Sequence, residues 1–198
     1  MREEKRIRRQ EQIESAAYKV LEAKGYGGTS MLGIAKQAQA SNETLYSWYG
    51  DKKGLFRALV TRNAEEVKCH LEEELQSDHD ALAILETLGP KLLTLLTGDR
   101  AVALNRAAAA DSSGELGATL SLAGREAVFP LLEQVLLRAK EEGQLTFKHS
   151  GDAVGLYLDL LIGDQQIRRV IGRLPSPSEK FCRERSKSAI VHLRTLLS

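Results

Sequence analysis

The chain has 198 residues, of which 42% are hydrophobic, 28% are charged and only 5% are aromatic. This length allows one large domain or two small ones, and the hydrophobic share suffices for a core. No run approaches the roughly 18 consecutive apolar residues of a membrane span. The charged start, MREEKRIRRQ, has no hydrophobic stretch behind it, and the two cysteines are far apart. We therefore expect a cytoplasmic protein without a secretory signal or a membrane partner.

Abundant alanine and leucine with few aromatic residues favour helix over strand, so we expect an all-α fold. The first predicted helix runs from about residue 3 to Lys24. Its inward face carries Ile7, Ile13, Ala17, Val20 and Leu21 at helical spacing. Gly25 is a natural end to this helix because glycine readily adopts the left-handed backbone that follows a helix terminus.

The window TSMLGIAKQAQASNETLYSWYGDKKGLF, residues 29–56, is the most informative part of the chain. It contains two short helical patterns separated by a four-residue turn, followed at once by a third. Ser30, Ser41 and Asp51 stand where each helix begins, and their side-chain oxygens can accept the orphan backbone N–H groups there. Two helices joined by so short a turn predict a helix-turn-helix, whose second helix can enter the major groove of DNA.

The same residues carry a family resemblance. In order and spacing, IESAA at 13–17, Leu21, GY at 25–26, TS at 29–30, IA at 34–35, Ser41, TLY at 44–46, Lys52 and LF at 55–56 resemble the N-terminal domain of the tetracycline-repressor (TetR) family. The resemblance covers roughly residues 8 to 60. It has two departures: Gln39 stands where the family usually has glycine in the turn, and Trp48-Tyr49 replace its usual His-Phe pair.

The predicted DNA contacts follow partly from chemistry and partly from this resemblance. Ser41, Asn42, Glu43 and Thr44 form the start of the predicted recognition helix, where asparagine can pair with adenine and glutamate can accept from cytosine. Ser30 can bind phosphate through its hydroxyl and the amides of a helix start. The resemblance implies phosphate contacts for Tyr46 and Lys52. The remaining candidate donors are Arg8, Arg9, Trp48 and Tyr49. A good helix start could also explain Ser41, Asn42 and Glu43, with Ser41 as the cap and Glu43 complementing the helix dipole. Either arginine could be a solvated surface charge.

The charge distribution agrees with a DNA-binding start. Residues 1–62 hold 12 lysines and arginines against 7 aspartates and glutamates, whereas the rest of the chain holds 16 against 20. Basic charge is therefore concentrated where phosphates would lie. A random imbalance of charges on a solvated surface could give a similar basic excess. The helix-turn-helix motif in the same residues is what favours the DNA-binding interpretation.

The rest of the chain also has helical patterns. We expect helices at about residues 52–76, 80–96, 99–110, 115–142, 152–172 and 178–197. Pro90 should kink or split the second of these, because proline lacks the backbone N–H that a helix interior uses. The segment RLPSPS should separate the last two. We place a helix-turn-helix domain at residues 1–62, a linker helix to about residue 76, and a helical effector-binding and dimerisation domain at 77–198.

Two further surfaces are expected in this second domain. A small-molecule cavity is predicted around Asn105, Arg125, Phe129 and Tyr157, although ordinary core aromatics with surface charges would give the same pattern. A homodimer contact is predicted on the last two helices, where apolar residues recur at helical spacing, although burial within the subunit would give the same pattern. Its members are Leu156, Leu160, Ile167, Ile171, Ile190, Leu193 and Leu197, and Gly155 and Gly163 would let a partner helix approach closely.

Enzymatic and metal chemistry find no support in the sequence. There is no phosphate-binding glycine loop and no catalytic motif of the GxSxG or HExxH kind, and Cys69 and His70, adjacent on a helix, point about 100° apart. We expect no cofactor. The sequence predicts a homodimeric regulator that binds double-stranded operator DNA, most simply a repressor released by a small-molecule effector. The alternatives are an activator, a regulator controlled by a protein partner, or a helical enzyme or carrier.

Overall fold

The computed structural model describes residues 2–198, with side chains from Glu4 onward, and every regular element in that range is helical. The predicted all-α class is confirmed. The first four helices are α1 (Arg2–Gly28), α2 (Met31–Gln37), α3 (Asn42–Tyr49) and α4 (Lys52–Leu75). Gly25, with a φ of 66°, interrupts α1 directly after Lys24, where the sequence predicts the end of the first helix.

The three predicted helix caps are confirmed, because each serine or aspartate accepts the N–H group three residues later. Ser30 Oγ lies 3.1 Å from the backbone nitrogen of Gly33, and Ser41 Oγ lies 3.1 Å from that of Thr44. The carboxylate of Asp51 accepts from Gly54 at 2.7 Å. These caps fix where α2, α3 and α4 begin, and hence the length of both connections in the motif.

Seven helices and one π-helical turn complete the described chain. They are α5 (Ala81–Thr97), α6 (Asp99–Ala109), α7 (Glu115–Leu120), the π turn (Ser121–Arg125), α8 (Glu126–Glu141), α9 (Ser150–Ile162), α10 (Gln165–Val170) and α11 (Glu179–Leu196). Two predictions were too simple here. The π turn divides the helix expected at 115–142, and Gly163, with a φ of 52°, ends α9 within the helix expected at 152–172.

Pro90 does not split α5, and the reason lies in the helix packed against it. Proline has no N–H to give to the carbonyl four residues earlier, which is that of Glu86. The hydroxyl of the buried Ser186 in α11 donates to this carbonyl at 3.0 Å. The two helices can approach this closely because residue 89 is a glycine. A Cβ at that position would lie 2.1 Å from Ser186 Oγ. Gly89 thus leaves the space, and Pro90 leaves the free carbonyl, that the Ser186 hydroxyl of α11 occupies.

The apolar residues form two cores that do not coincide with the predicted domains. The larger core joins α4, α5, α8, α9 and α11. The smaller core contains the buried faces of α1 to α4, and it also contains Ala103, Leu104 and Ala107 from α6 and Leu116 from α7. On the surface, an ion pair between Lys53 and Glu115 joins the same regions. The helix-turn-helix therefore rests on helices from the second half of the chain.

Candidate DNA interface and internal cavity

The start of α3 presents two polar side chains to solvent. Leu45 is buried in the smaller core and anchors the helix, while Asn42 and Glu43 are exposed in the first turn. The hydroxyls of Ser41 and Thr44 lie 2.7 Å apart, so each satisfies the other beside the cap. Asn42 and Glu43 are therefore the two residues of this turn whose hydrogen-bonding groups are directed outward and uncommitted to the caps described above.

The turn between α2 and α3 has an unusual backbone. Gln39 has a φ of 51° and is the only residue other than glycine with a positive φ among those described. Such a conformation costs a residue with a Cβ about 1–2 kcal/mol. The guanidinium of Arg9 in α1 donates to the carbonyl oxygens of both Ala38, at 3.2 Å, and Gln39. Arg9 thus holds the turn that orients α3, whereas the neighbouring Arg8 is exposed.

We expect the two adjacent arginines to affect DNA binding in different ways. Arg9→Ala should lower the free energy of unfolding by about 1–3 kcal/mol, because two turn carbonyls lose a charged donor. The salt dependence of its DNA affinity should stay as in the wild type. Arg8→Ala should leave the melting temperature unchanged but make the salt dependence shallower by about one counterion per site. Thermal melting and binding titrations at several salt concentrations would test both, and a shallower salt slope for Arg9→Ala would make it a phosphate contact instead.

The aromatic candidates differ in how much of each side chain reaches the surface. Tyr46 is 49% exposed, so its hydroxyl can reach a phosphate. Trp48 and Tyr49 are half-buried against the smaller core. The Tyr49 hydroxyl is itself buried and has no hydrogen-bond partner among the described residues, and burial raises its pKa to about 12. Tyr46 is therefore the best placed of the three as a phosphate donor.

Lys52 has internal partners that the sequence does not suggest. Its ammonium group donates to the carbonyl oxygens of Tyr26, at 3.0 Å, and Thr29, at 3.1 Å, and it lies 4.2 Å from the centre of the Tyr26 ring. These contacts tie the loop between α1 and α2 to the start of α4. An ammonium group has three hydrogens, so one remains available for a phosphate.

Below the motif, a cavity of about 320 Å³ lies among helices from both halves of the chain. Asn105, Arg125 and Phe129 line it, as the sequence predicts for a ligand site. Tyr157 does not line it, because its side chain is fully buried in the larger core and donates to the carbonyl of Leu85 at 3.0 Å. The aromatic pattern that suggested Tyr157 as a ligand residue is a core pattern.

The sequence reasoning missed the part of α4 that lines this cavity. Val60, Asn63 and Ala64 form one wall, while Leu55 and Leu59, about two turns and one turn before Asn63, belong to the smaller core, as Val60 also does. Because α4 loses most of its apolar character in its far half, its sequence predicts only a linker there. The unbroken helical pattern from 52 to 76 is the signal in the sequence that could have indicated this wall. A single continuous helix that starts in the DNA-binding motif and extends this far must also contact the second half of the chain.

The candidate dimer residues fall into three groups by exposure. Ile190 and Leu193 are buried in the larger core of the same chain, so the structure assigns them to internal packing and not to a partner. The side chains of Leu156, Leu160 and Leu197 are half-buried. Those of Ile167 and Ile171 are exposed. Burial inside the subunit and burial against a partner produce the same periodic pattern, which is why the sequence could not separate them.

Other kinds of site are not visible in the described residues. No group of three or more His, Cys, Asp or Glu side chains in this range is arranged to hold a metal ion. Cys69 is exposed and Cys182 is buried, and both are free thiols. No single helix in the same range is long and apolar enough to cross a membrane, and only α5 and α6 together, bent by 52°, pass on length and composition.

Comparison with known proteins extends over both halves of the chain. Residues 13–59 match the family described as bacterial regulatory proteins, tetR family, and residues 83–193 match the AefR-like transcriptional repressor, C-terminal domain. No curated protein is significantly similar in sequence. Among solved structures, a TetR transcriptional regulator from Agrobacterium tumefaciens is 27% identical, with a TM-score of 0.73 over 96% of this chain and 94% of that one.

Two more distant structures share the fold. FadR from Bacillus subtilis, solved in complex with stearoyl-CoA, is 18% identical, with a TM-score of 0.75 over 94% of this chain and 98% of that one. SmeT, the repressor of the Stenotrophomonas maltophilia multidrug efflux pump SmeDEF, is 18% identical, with a TM-score of 0.72 over 95% of this chain and 89% of that one.

Proposed function

The chain belongs to the TetR family of DNA-binding transcriptional regulators, and from that premise we propose that it is a homodimeric repressor released from its operator by a small molecule. Membership in this family also makes it a transcription factor and not an enzyme. A regulator of this kind acts on chromosomal DNA, so we propose the cytoplasm as its location.

The path of α4 is the observation that carries this proposal. One helix begins at the cap beside the recognition helix, passes through the smaller core, and then forms a wall of the cavity. A molecule that fills the cavity therefore contacts the same rigid element that supports α3. If the filled cavity favours another position of α4, the two recognition helices of a dimer no longer match consecutive major grooves.

We propose that the dimer face includes α9, whose half-buried leucines keep part of their surface free for a partner. Leu156 and Leu160 lie one turn apart and are half-buried. A Cβ on Gly155 would meet no atom within 4 Å, which leaves room for a partner helix to approach closely. A symmetric contact through this face would present two recognition helices to half-sites about one helical turn, or roughly 34 Å, apart.

Two alternatives within the family use the same DNA-binding surface. An activator would bind the same kind of site and raise transcription. A regulator controlled by a protein partner would leave the cavity empty during its switch. The cavity between α4 and the helices of the second half favours a small molecule, and so does the stearoyl-CoA complex of the B. subtilis relative.

We expect the purified protein to select a two-half-site sequence from randomised duplexes, and Asn42→Ala to relax the preference at one base position in each half-site. Loss of a bidentate base contact should cost about 1–3 kcal/mol for the preferred base. Sequencing of the bound duplexes for both proteins would measure this. Glu66→Ala, an exposed position on α4 away from the motif, is the matched control.

The same selection decides the proposal as a whole. A wild-type protein that enriches no sequence, or whose binding is insensitive to salt, would not be an operator-binding repressor. If both proteins enrich an identical sequence, Asn42 serves only to begin the helix, and the base contact must come from another residue of α3.

A further inference from the structure

The cavity has one charged residue among the residues that line it, and that residue is Arg125. Most of the lining is leucine, valine, isoleucine and alanine, and its other polar members are neutral amides and one serine. A charged ligand group in such a lining needs an opposite charge beside it, because apolar walls do not replace its hydration. An anionic group of a ligand in this cavity therefore has one lining residue of opposite charge to bind, Arg125.

Among the described residues, no side chain accepts a hydrogen bond from Arg125. Its guanidinium lies 5.7 Å from the centre of the Phe129 ring, and no carboxylate of the described residues is within ion-pair distance. The neighbouring carboxylate of Glu126 accepts from Ser121 at 2.8 Å. By contrast, Arg169, which lines a second cavity, donates to the carbonyl of Thr97 and to Asp99. The donors of Arg125 are thus free for a ligand.

The π turn places this free guanidinium at the mouth of the cavity. Arg125 is the last residue of the turn and is exposed, while Ser121 and Gly124 of the same turn line the interior. A Cβ on Gly124 would lie 3.4 Å from Val60 of α4, so the turn packs on the helix that supports the motif. A wider turn of this kind is often found at functional sites.

We propose that the effector is an apolar molecule with a single negative charge, whose body fills the cavity and whose anionic group binds Arg125. A volume of about 320 Å³ accommodates a body of about ten non-hydrogen atoms at roughly 30 Å³ for each water-sized group. The amide groups of Asn105 and Gln166 each give one hydrogen to the carbonyl of Ala101 or Leu96, and because they are neutral they can support an anion beside Arg125 but do not supply an opposite charge. This inference rests on the proposed function, which it makes more specific.

The test is calorimetric titration of the full-length protein with three ten-carbon probes: decanoate, 1-decanol and decylamine. Decanoate should bind at least about tenfold more tightly than 1-decanol, because a charged hydrogen bond is added, and decylamine should bind most weakly. Arg125→Gln should weaken decanoate binding about tenfold and leave 1-decanol binding unchanged. Arg125→Lys should recover part of the loss. Arg173→Gln removes an exposed arginine elsewhere and should have no effect.

Equal affinities for decanoate and 1-decanol would overturn the proposal. So would a decanoate preference that survives in Arg125→Gln, or no measurable binding of any probe. Circular dichroism of each variant confirms that the fold is intact. Release of a selected DNA duplex is measured separately. If the protein binds decanoate through Arg125 but stays on its duplex, the proposed ligand class stands and release of DNA by that ligand is refuted. If the protein selects no duplex at all, only the proposed repressor function is refuted.

Discussion

Gly54→Ala is expected to abolish specific DNA binding while leaving the second half of the chain folded. A Cβ at Gly54, in the first turn of α4, would lie 1.9 Å from the carbonyl oxygen of Tyr49, the last residue of α3. Both atoms belong to the backbone or are attached directly to it, so no rotamer relieves the overlap. The two helices must move apart, and we expect a loss of about 3 kcal/mol or more in stability.

The effect on DNA binding should exceed the effect on stability, because α3 is the element that moves. Each displaced base contact costs about 1–3 kcal/mol, and a dimer has two recognition helices. We expect the affinity for a selected duplex to fall more than about a hundredfold. Gly27→Ala is the matched control, since a Cβ there meets no atom within 4 Å. Fluorescence anisotropy with a labelled duplex measures the affinity of both variants. A wild-type affinity for Gly54→Ala would show that α3 and α4 can move apart without displacing the DNA-contacting residues.

Leu193→Glu is expected to unfold the second half of the chain, and not to produce a folded monomer. The Leu193 side chain is 0% exposed in the larger core, so a glutamate there would be a buried charge without a partner. Such a group costs several kcal/mol, a large share of a typical stability of about 5–15 kcal/mol. Val191→Glu, two residues earlier on α11 and 63% exposed, should leave melting unchanged.

Leu160→Arg provides the contrast, because this half-buried side chain lies on the proposed dimer face of α9. The variant should keep its helical circular dichroism but sediment as a monomer, since a symmetric contact receives the unpaired charge twice. Melting curves and sedimentation velocity of the three variants separate folding from association. A Leu160→Arg protein that sediments as a dimer would place the contact between subunits elsewhere.

The parts of this fold that local chemistry decides were accessible from the sequence. Ser30, Ser41 and Asp51 cap their own helices, and Gly25 interrupts α1, because each acts on backbone groups within a few residues. The same holds for Gln39, whose strained turn could be anticipated from the usual glycine at that place. Features that depend on distant residues were not accessible, and the partnership of Arg9 with the carbonyl of Gln39 is one of them.

The cavity illustrates the limit more clearly. Asn105, Arg125 and Phe129 lie on separate elements, and only their packing brings them to one space. Tyr157 had the same sequence pattern as Phe129, yet its hydroxyl bonds to Leu85 in the core. Periodicity tells which face of a helix is apolar, but it does not tell whether that face meets a ligand, a neighbouring helix or a second subunit. Gly54 shows the same limit at a single residue, because its need for a missing Cβ arises only when α3 and α4 meet.

The packing of α6 and α7 on the DNA-binding helices matters to anyone who builds hybrid sensors from this chain. A junction in α4 that joins residues 1–62 to a foreign sensing half would remove Ala103, Leu104, Ala107 and Leu116 from the smaller core. The transplanted helices would then rest on side chains of another shape, and the ion pair of Lys53 would lose its partner. The unit that can be exchanged is therefore discontinuous in sequence, and a graft should carry residues 99–120 together with the first 62.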